Sequence, residues 1–318
     1  MWSWRSGVFD FTVYATAEMP QLTTPTTASV ASTEQQRRRD RIAELSNYLA
    51  THSVTETLRA SLLLEQGDLH QSIGELQEAM ACFQEALQLY RQFHDEANTA
   101  ELLDRVAGIL QARGELDEAL RIHQQERLPT CEKLGDVREK AVTMGKIADI
   151  LQARGELDEA LRIFQTEVLP AFERLGDVRE KAATMGRIAD ILYSRGELDE
   201  ALRIRQEEQL PVYERLGDVR SKAVTMGQIA DILQARGELD EALRIQREEV
   251  LPVCERLGDV HGLLITQAKI AITFMQFTPP RRVEAQALLC QALRAAQKMR
   301  IPEAGQIEEW LQYFEMKC

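Results

Sequence analysis

RGELDEALRI, residues 113–122, returns unchanged at 154–163, 195–204 and 236–245, each copy starting 41 residues after the last. A second string, LGDV, keeps the same interval from Leu134, Leu175, Leu216 and Leu257. A fixed period of this length marks an array of small supersecondary units. None can hide its apolar face alone, so stability comes from stacking on neighbours. Weaker copies flank the four, Gly74-Glu75-Leu76-Gln77-Glu78-Ala79 upstream and Val283-Glu284-Ala285 downstream, which makes six units.

Each unit reads as two helices. Val137, Ala141, Met144, Ile147, Ala148 and Leu151 recur at helical spacing and form one apolar stripe. Gly155 ends that helix, because glycine accepts the left-handed backbone found there. Leu157, Ala160, Leu161, Phe164, Val168, Phe172 and Leu175 form the second stripe, closed by Gly176. Asp136 with Glu139, and Asp177 with Glu180, have capping-box spacing. Asp218 and Asp259 lack the acidic partner, which predicts weaker helix starts. Pro129, Pro170, Pro211 and Pro252 fall late in the second helices. There a missing N–H and a crowding ring predict one bend per unit.

Composition narrows the function. The 318 residues carry a formal charge of −13, which repels nucleic acid and anionic membrane and favours cationic partners. No apolar run approaches the length of a membrane span. Asp10 interrupts the aromatic start, so no secretory leader is expected and the chain reads as cytoplasmic. The five cysteines, at 82, 131, 254, 290 and 318, are odd in number and read as small buried thiols in a reducing compartment. Five scattered histidines show neither His-Glu-x-x-His nor Cys-x-x-Cys, and no phosphate-binding loop or nucleophile elbow occurs. The expectation is a protein without catalytic residues, metal site or cofactor, and not an enzyme.

The repeats resemble the tetratricopeptide family in its longer-period branch, the kind found in kinesin light chains and bacterial sensor and scaffold proteins. The first-helix pattern is met by Met144, Ile147, Ala148 and Leu151, and again by Met185, Ile188, Ala189 and Leu192 and by Met226, Ile229, Ala230 and Leu233. The small second-helix residue is met by Ala79, Ala119, Ala160, Ala201, Ala242 and Ala285. The second helices depart from the pattern at His123, Phe164, Arg205 and Gln246 and at Glu126, Glu167, Glu208 and Glu249. The resemblance implies an all-α fold, an α-solenoid (right-handed superhelix) of about six antiparallel helix pairs with terminal capping helices. Residues 1–33 read as a tail, 34–50 as a capping helix, 51–300 as the array and 301–318 as a second capping helix.

In that family the first helices line a concave face. Carried over by position, the groove column is Asp149, Asp190 and Asp231, beside Gln152, Tyr193 and Gln234 and the glycines Gly145, Gly186 and Gly227. The preceding unit contributes Asp104 and the last one Ile272 and Met275. A carboxylate row with room made by glycine suits charge-assisted bonds to Lys or Arg, so the expected ligand is a basic or basic-hydrophobic protein segment. The competing expectations are that these acids are merely solvated, or paired with an arginine such as Arg154 or Arg195. A regulatory sensor or self-assembling module working through its ends, hence a homo-oligomer, is the alternative function. The inter-copy differences at His123/Phe164/Arg205/Gln246 and Cys131/Phe172/Tyr213/Cys254 read as tolerated variation. Arg37-Arg38-Arg39-Asp40-Arg41 reads as a solvated helix face.

Overall fold

The computed structural model describes residues 27–299 and 303–318, and the aromatic start assigned to the tail lies outside them. Every regular element among the described residues is helical. The chain divides into two compact units, residues 29–177 and 178–318.

Unit 1 begins with α1 (Thr27–Thr51), which starts inside the stretch read as tail. Among the residues of α1 whose burial is described, Leu45 is buried, with Ile42 and Leu49 half-buried. Arg38 and Arg41 of the basic run reach Glu34, Glu44 and Glu65 at the surface. Three helix pairs follow. They are α2 (Glu56–Ser72) with α3 (Leu76–Gln92), α4 (Glu96–Ala112) with α5 (116–134), and α6 (Val137–Ala153) with α7 (157–175). Unit 2 repeats the plan with α8 (Val178–Ser194) and α9 (198–216), α10 (Val219–Ala235) and α11 (239–257), then α12 (Val260–Gln276) and α13 (Arg282–Met299). It closes with α14 (Glu303–Tyr313), whose Ile307 and Leu311 join Leu289, Leu293 and Phe274 in one core, with Trp310 and Phe314 against it.

Local chemistry explains the corners. Asp95, Asp136, Asp218 and Asp259 each accept a bond from the backbone N–H three residues on, satisfying a donor the helix start leaves open. The caps at Asp218 and Asp259 are therefore made without an acidic partner, and the Ser221 hydroxyl adds a second bond to Asp218. Gly217 takes φ 63° after α9, a conformation a side chain would strain.

The second helices hold the main surprise. Each of α5, α7, α9 and α11 contains a π-helical turn directly ahead of its Leu-Pro step: His123–Arg127, Phe164–Val168, Ile204–Gln209 and Gln246–Val250. The N–H of Leu128 donates to the carbonyl of His123, five residues back, and Leu169, Leu210 and Leu251 do the same. Proline cannot donate, and its ring crowds the carbonyl four residues earlier. Widening the turn by one residue relieves that crowding, so the expected bend is a π-bulge.

The widened turn points two residues per repeat inward. They are His123 and Arg127, Phe164 and Val168, Arg205 and Gln209, and Gln246 and Val250, all buried. The positions that vary between near-identical copies are thus interior ones, as are Cys131, Phe172, Tyr213 and Cys254. Two of the polar residues stand without partners: both ring nitrogens of His123 and both amide atoms of Gln246. The cysteines also differ from expectation, since Cys290 and Cys318 form a disulfide that ties the chain end to α13, while Cys82, Cys131 and Cys254 are free. The two partners lie 28 residues apart in sequence, a separation that hid the pairing until the end of the chain was folded back.

Burial pushes the His123 imidazole down from 6.5 to about 4, with Asp104 opposing and Lys146 and Arg127 adding to the shift. A depressed histidine is neutral in the fold, so its contribution is intact above pH 6.5 and is lost as the unfolded chain takes up a proton towards pH 4. The full effect is about 3 kcal/mol. Urea unfolding at pH 7.5 and 4.5 will show unit 1 weakened at the lower pH, and His123→Phe, which copies Phe164, will remove most of that difference.

Candidate functional site

The groove candidates lie on first helices, and each unit brings neighbouring first helices side by side. In unit 1, Asp68 of α2 accepts from Arg105 of α4, and Asp104 of α4 accepts from Lys146 of α6. Asp104 also lies 3.4 Å from Nε of the buried Arg127, whose Nη2 donates to Glu139 at 2.6 Å. Asp149 and Gln152 follow on α6, both half-buried.

In unit 2, Asp231 of α10 accepts from Lys269 of α12 at 2.6 Å, and Gln234 accepts from the Thr273 hydroxyl at 3.2 Å. Asp190 of α8 is met by Arg205, which is buried at 1% exposure. Arg205 also donates to Gln209 at 2.7 Å, Gln228 at 2.6 Å and the Gly186 carbonyl at 3.3 Å. Tyr193 is half-buried one turn beyond Asp190, and burial, with the charge of Asp231 second, pushes its hydroxyl up to about 12. Ile272 is half-buried on α12, and Met275 lies against the closing core of unit 2.

Three of the acids expected to await a ligand are therefore held by cations of this chain: Asp104, Asp190 and Asp231. The partners are not the arginines considered from sequence. Arg154 pairs with Asp117 and Glu156, and Arg195 with Glu197. A signal was present, because 38 residues after Asp190 and Asp231 stand Gln228 and Lys269. Where the base is replaced by Gln228, the preceding second helix supplies Arg205 instead, and Gln228 accepts from it.

One glycine of the column, Gly186, serves packing. A Cβ on Gly145 would touch Phe164 at 3.8 Å and Val168 at 3.9 Å, and one on Gly227 would touch Val250 at 4.0 Å. At Gly186 it would collide with the Gln209 amide. Gly186 thus leaves the room that Gln209 takes, whereas at Gly145 and Gly227 an added Cβ would make only ordinary van der Waals contact.

What remains uncommitted is polar and uncharged. Among the described residues, the Gln152 side chain and the Tyr193 hydroxyl form no hydrogen bond, and Gln234 keeps its amide N–H groups unused. No cluster of metal-ligating side chains occurs among the described residues, and no described helix is long and apolar enough to cross a membrane.

Removing a buried charge partner leaves its mate stranded, which typically costs several kcal/mol. Arg205→Ala is accordingly expected to lower the stability of unit 2 by about 3 kcal/mol or more in urea unfolding. The triple variant Arg205→Phe, Gln209→Val, Gln228→Lys transplants the Phe164/Val168 arrangement with a base for Asp190, and should recover most of the loss.

Sequence profiles of the tetratricopeptide repeat match residues 58–127 and 223–257. No curated protein matches. Among solved structures, BtubC (BKLC) from P. vanneervenii is 17% identical with a TM-score of 0.54, covering 72% of this chain and 91% of its own. A Rap protein complexed with competence and sporulation factor is 15% identical with a TM-score of 0.60, covering 85% and 78% respectively. The Rap conjugation gene regulator of plasmid pLS20, in complex with the Phr* peptide, is 17% identical with a TM-score of 0.52, covering 84% and 72%. At these identities the likeness is one of fold: helix pairs stacked in series. With the 41-residue repeat, the first-helix pattern and the paired helices, the chain belongs to the tetratricopeptide-repeat family.

Proposed function

We propose that the chain is a non-enzymatic scaffold that holds an extended protein or peptide segment against its first helices. The Rap regulator solved with the Phr* peptide supports the ligand class. The carrying observation is the uncommitted pair Tyr193 and Gln234 on neighbouring first helices of unit 2. Half-buried amide and hydroxyl groups with open capacity suit the main-chain N–H and C=O of an extended segment, whose own polar groups need partners once water is displaced.

The preference for a basic or basic-hydrophobic segment becomes a matter of exchange. A ligand lysine gains Asp231 only by displacing Lys269. Asp190 is a poorer target, because Arg205 is buried and fixed by three further acceptors. Asp231, with Ile272 and Met275 on the next first helix, is the place where a basic-and-apolar pair of side chains would dock.

Titrating a labelled Lys- and Leu-containing peptide against single variants tests this reading. Lys269→Met removes the internal competitor and should tighten binding, Asp231→Asn should weaken it, and Tyr193→Phe and Gln234→Ala should each cost about threefold to tenfold. Unchanged affinity in Tyr193→Phe, Gln234→Ala and Asp231→Asn together would remove the first-helix face of unit 2 from consideration. Weaker binding in Lys269→Met would instead identify an acidic segment as the ligand.

A further inference from the structure

Unit 2 ends in a strap. After α14 the chain turns back along α13, where Arg282, Gln286 and Cys290 stand at four-residue intervals on one helix face. Arg282 donates to the Phe314 carbonyl at 2.6 Å, Gln286 donates to the Lys317 carbonyl, and Cys290 is bonded to Cys318. Between these anchors Met316 is buried in the core that Ile307 and Leu311 complete.

The two sulfurs of the bond differ. Cys290 is buried at 7% exposure, whereas Cys318 is open to solvent. Beside them lies a cleft of about 670 Å³ whose charged lining residues are Arg294 and Lys317, with no carboxylate side chain among its walls. A thiolate is the species that attacks a disulfide, and which sulfur it reaches depends on access. Here access selects Cys318, and local charge favours an anionic nucleophile.

We propose that the Cys290–Cys318 bond is a thiol-exchange site for an anionic low-molecular-weight thiol of the glutathione type. The incoming thiolate attacks Cys318 Sγ and forms a new S–S bond with it. Cys290 Sγ departs with the bonding electron pair and takes a proton from water. A second thiolate attacks the outer sulfur of the mixed disulfide, releasing the small-molecule disulfide and leaving Cys318 as a thiol. Two electrons pass from two small thiols to the protein. The strap then loses its covalent anchor and keeps the hydrogen bonds from Arg282 and Gln286, so the cover over Met316 is looser in the reduced chain. The site is independent of the first-helix face proposed for segment binding.

Oxidised full-length protein, incubated with reduced glutathione, blocked with N-ethylmaleimide and mapped by peptide mass, tests the assignment. Glutathione is expected on Cys318 with N-ethylmaleimide on Cys290, in excess of the reverse pattern by about tenfold. Compared at equal thiolate concentration, glutathione should react several-fold faster than cationic cysteamine at low salt. Arg294→Glu with Lys317→Glu should invert that order, and high salt should erase it. Adducts chiefly on Cys290, no dependence on thiol charge, or both cysteines free before any thiol is added would each overturn the proposal.

Discussion

Each second helix from α5 to α11 must pass a proline that has no hydrogen to give, and the turn ahead of it widens in response. Much else follows from that constraint. The wider turn brings two side chains per repeat into the space between paired helices, and on one first helix Gly186 leaves room for Gln209. The outer face of the array is nearly the same from copy to copy. The inner contents are not: imidazole and guanidinium in one, phenyl and isopropyl in the next, guanidinium and amide in the third, amide and isopropyl in the fourth.

Charge follows the same logic. A carboxylate on a first helix, half withdrawn from water, is stable when a cation stands against it, and the neighbouring helix normally supplies one, as at Asp104 with Lys146 and Asp231 with Lys269. Where the neighbour offers only an amide, the widened turn supplies the cation from beneath, as Arg205 does for Asp190. The exposed pairs that link successive corners, Arg179 with Asp218 and Arg220 with Asp259, lie in water and add little to stability by comparison. The buried and half-buried pairs instead fix which surfaces can meet. They also leave a first-helix face on which neutral hydrogen-bonding groups are the available ones.

The helix pairs, their corners and their order were legible in the sequence, because period, apolar stripe and capping aspartate are local signals that agree with one another. The side chains expected at the site stand on first helices, and the pairing weighed for their acids occurs at Asp104, Asp190 and Asp231, with cations other than the arginines considered. Nothing within a few residues of Asp231 announces Lys269. The relation crosses a whole repeat, and reading it needs the column of bases at 146 and 269 set beside the column of acids. The glycines were ambiguous for a different reason, since a missing side chain looks the same whether a ligand or a neighbouring helix fills the gap. The disulfide was hidden because a pairing depends on where the chain end returns, and the sequence carries no local mark of that return.

The matching of Asp190, Arg205 and Gln228 bears on how such an array can change in length. Near-identical copies invite the gain or loss of a whole segment by unequal recombination, and on the outside one copy would replace another unnoticed. Excising residues 219–259, for example, would set Lys269 where Gln228 now stands and confront a single carboxylate with two cations. The interior thus acts as a reading frame for the repeats: a block gained or lost must leave each withdrawn cation a carboxylate, as Asp104 and Glu139 together do for Lys146 and Arg127.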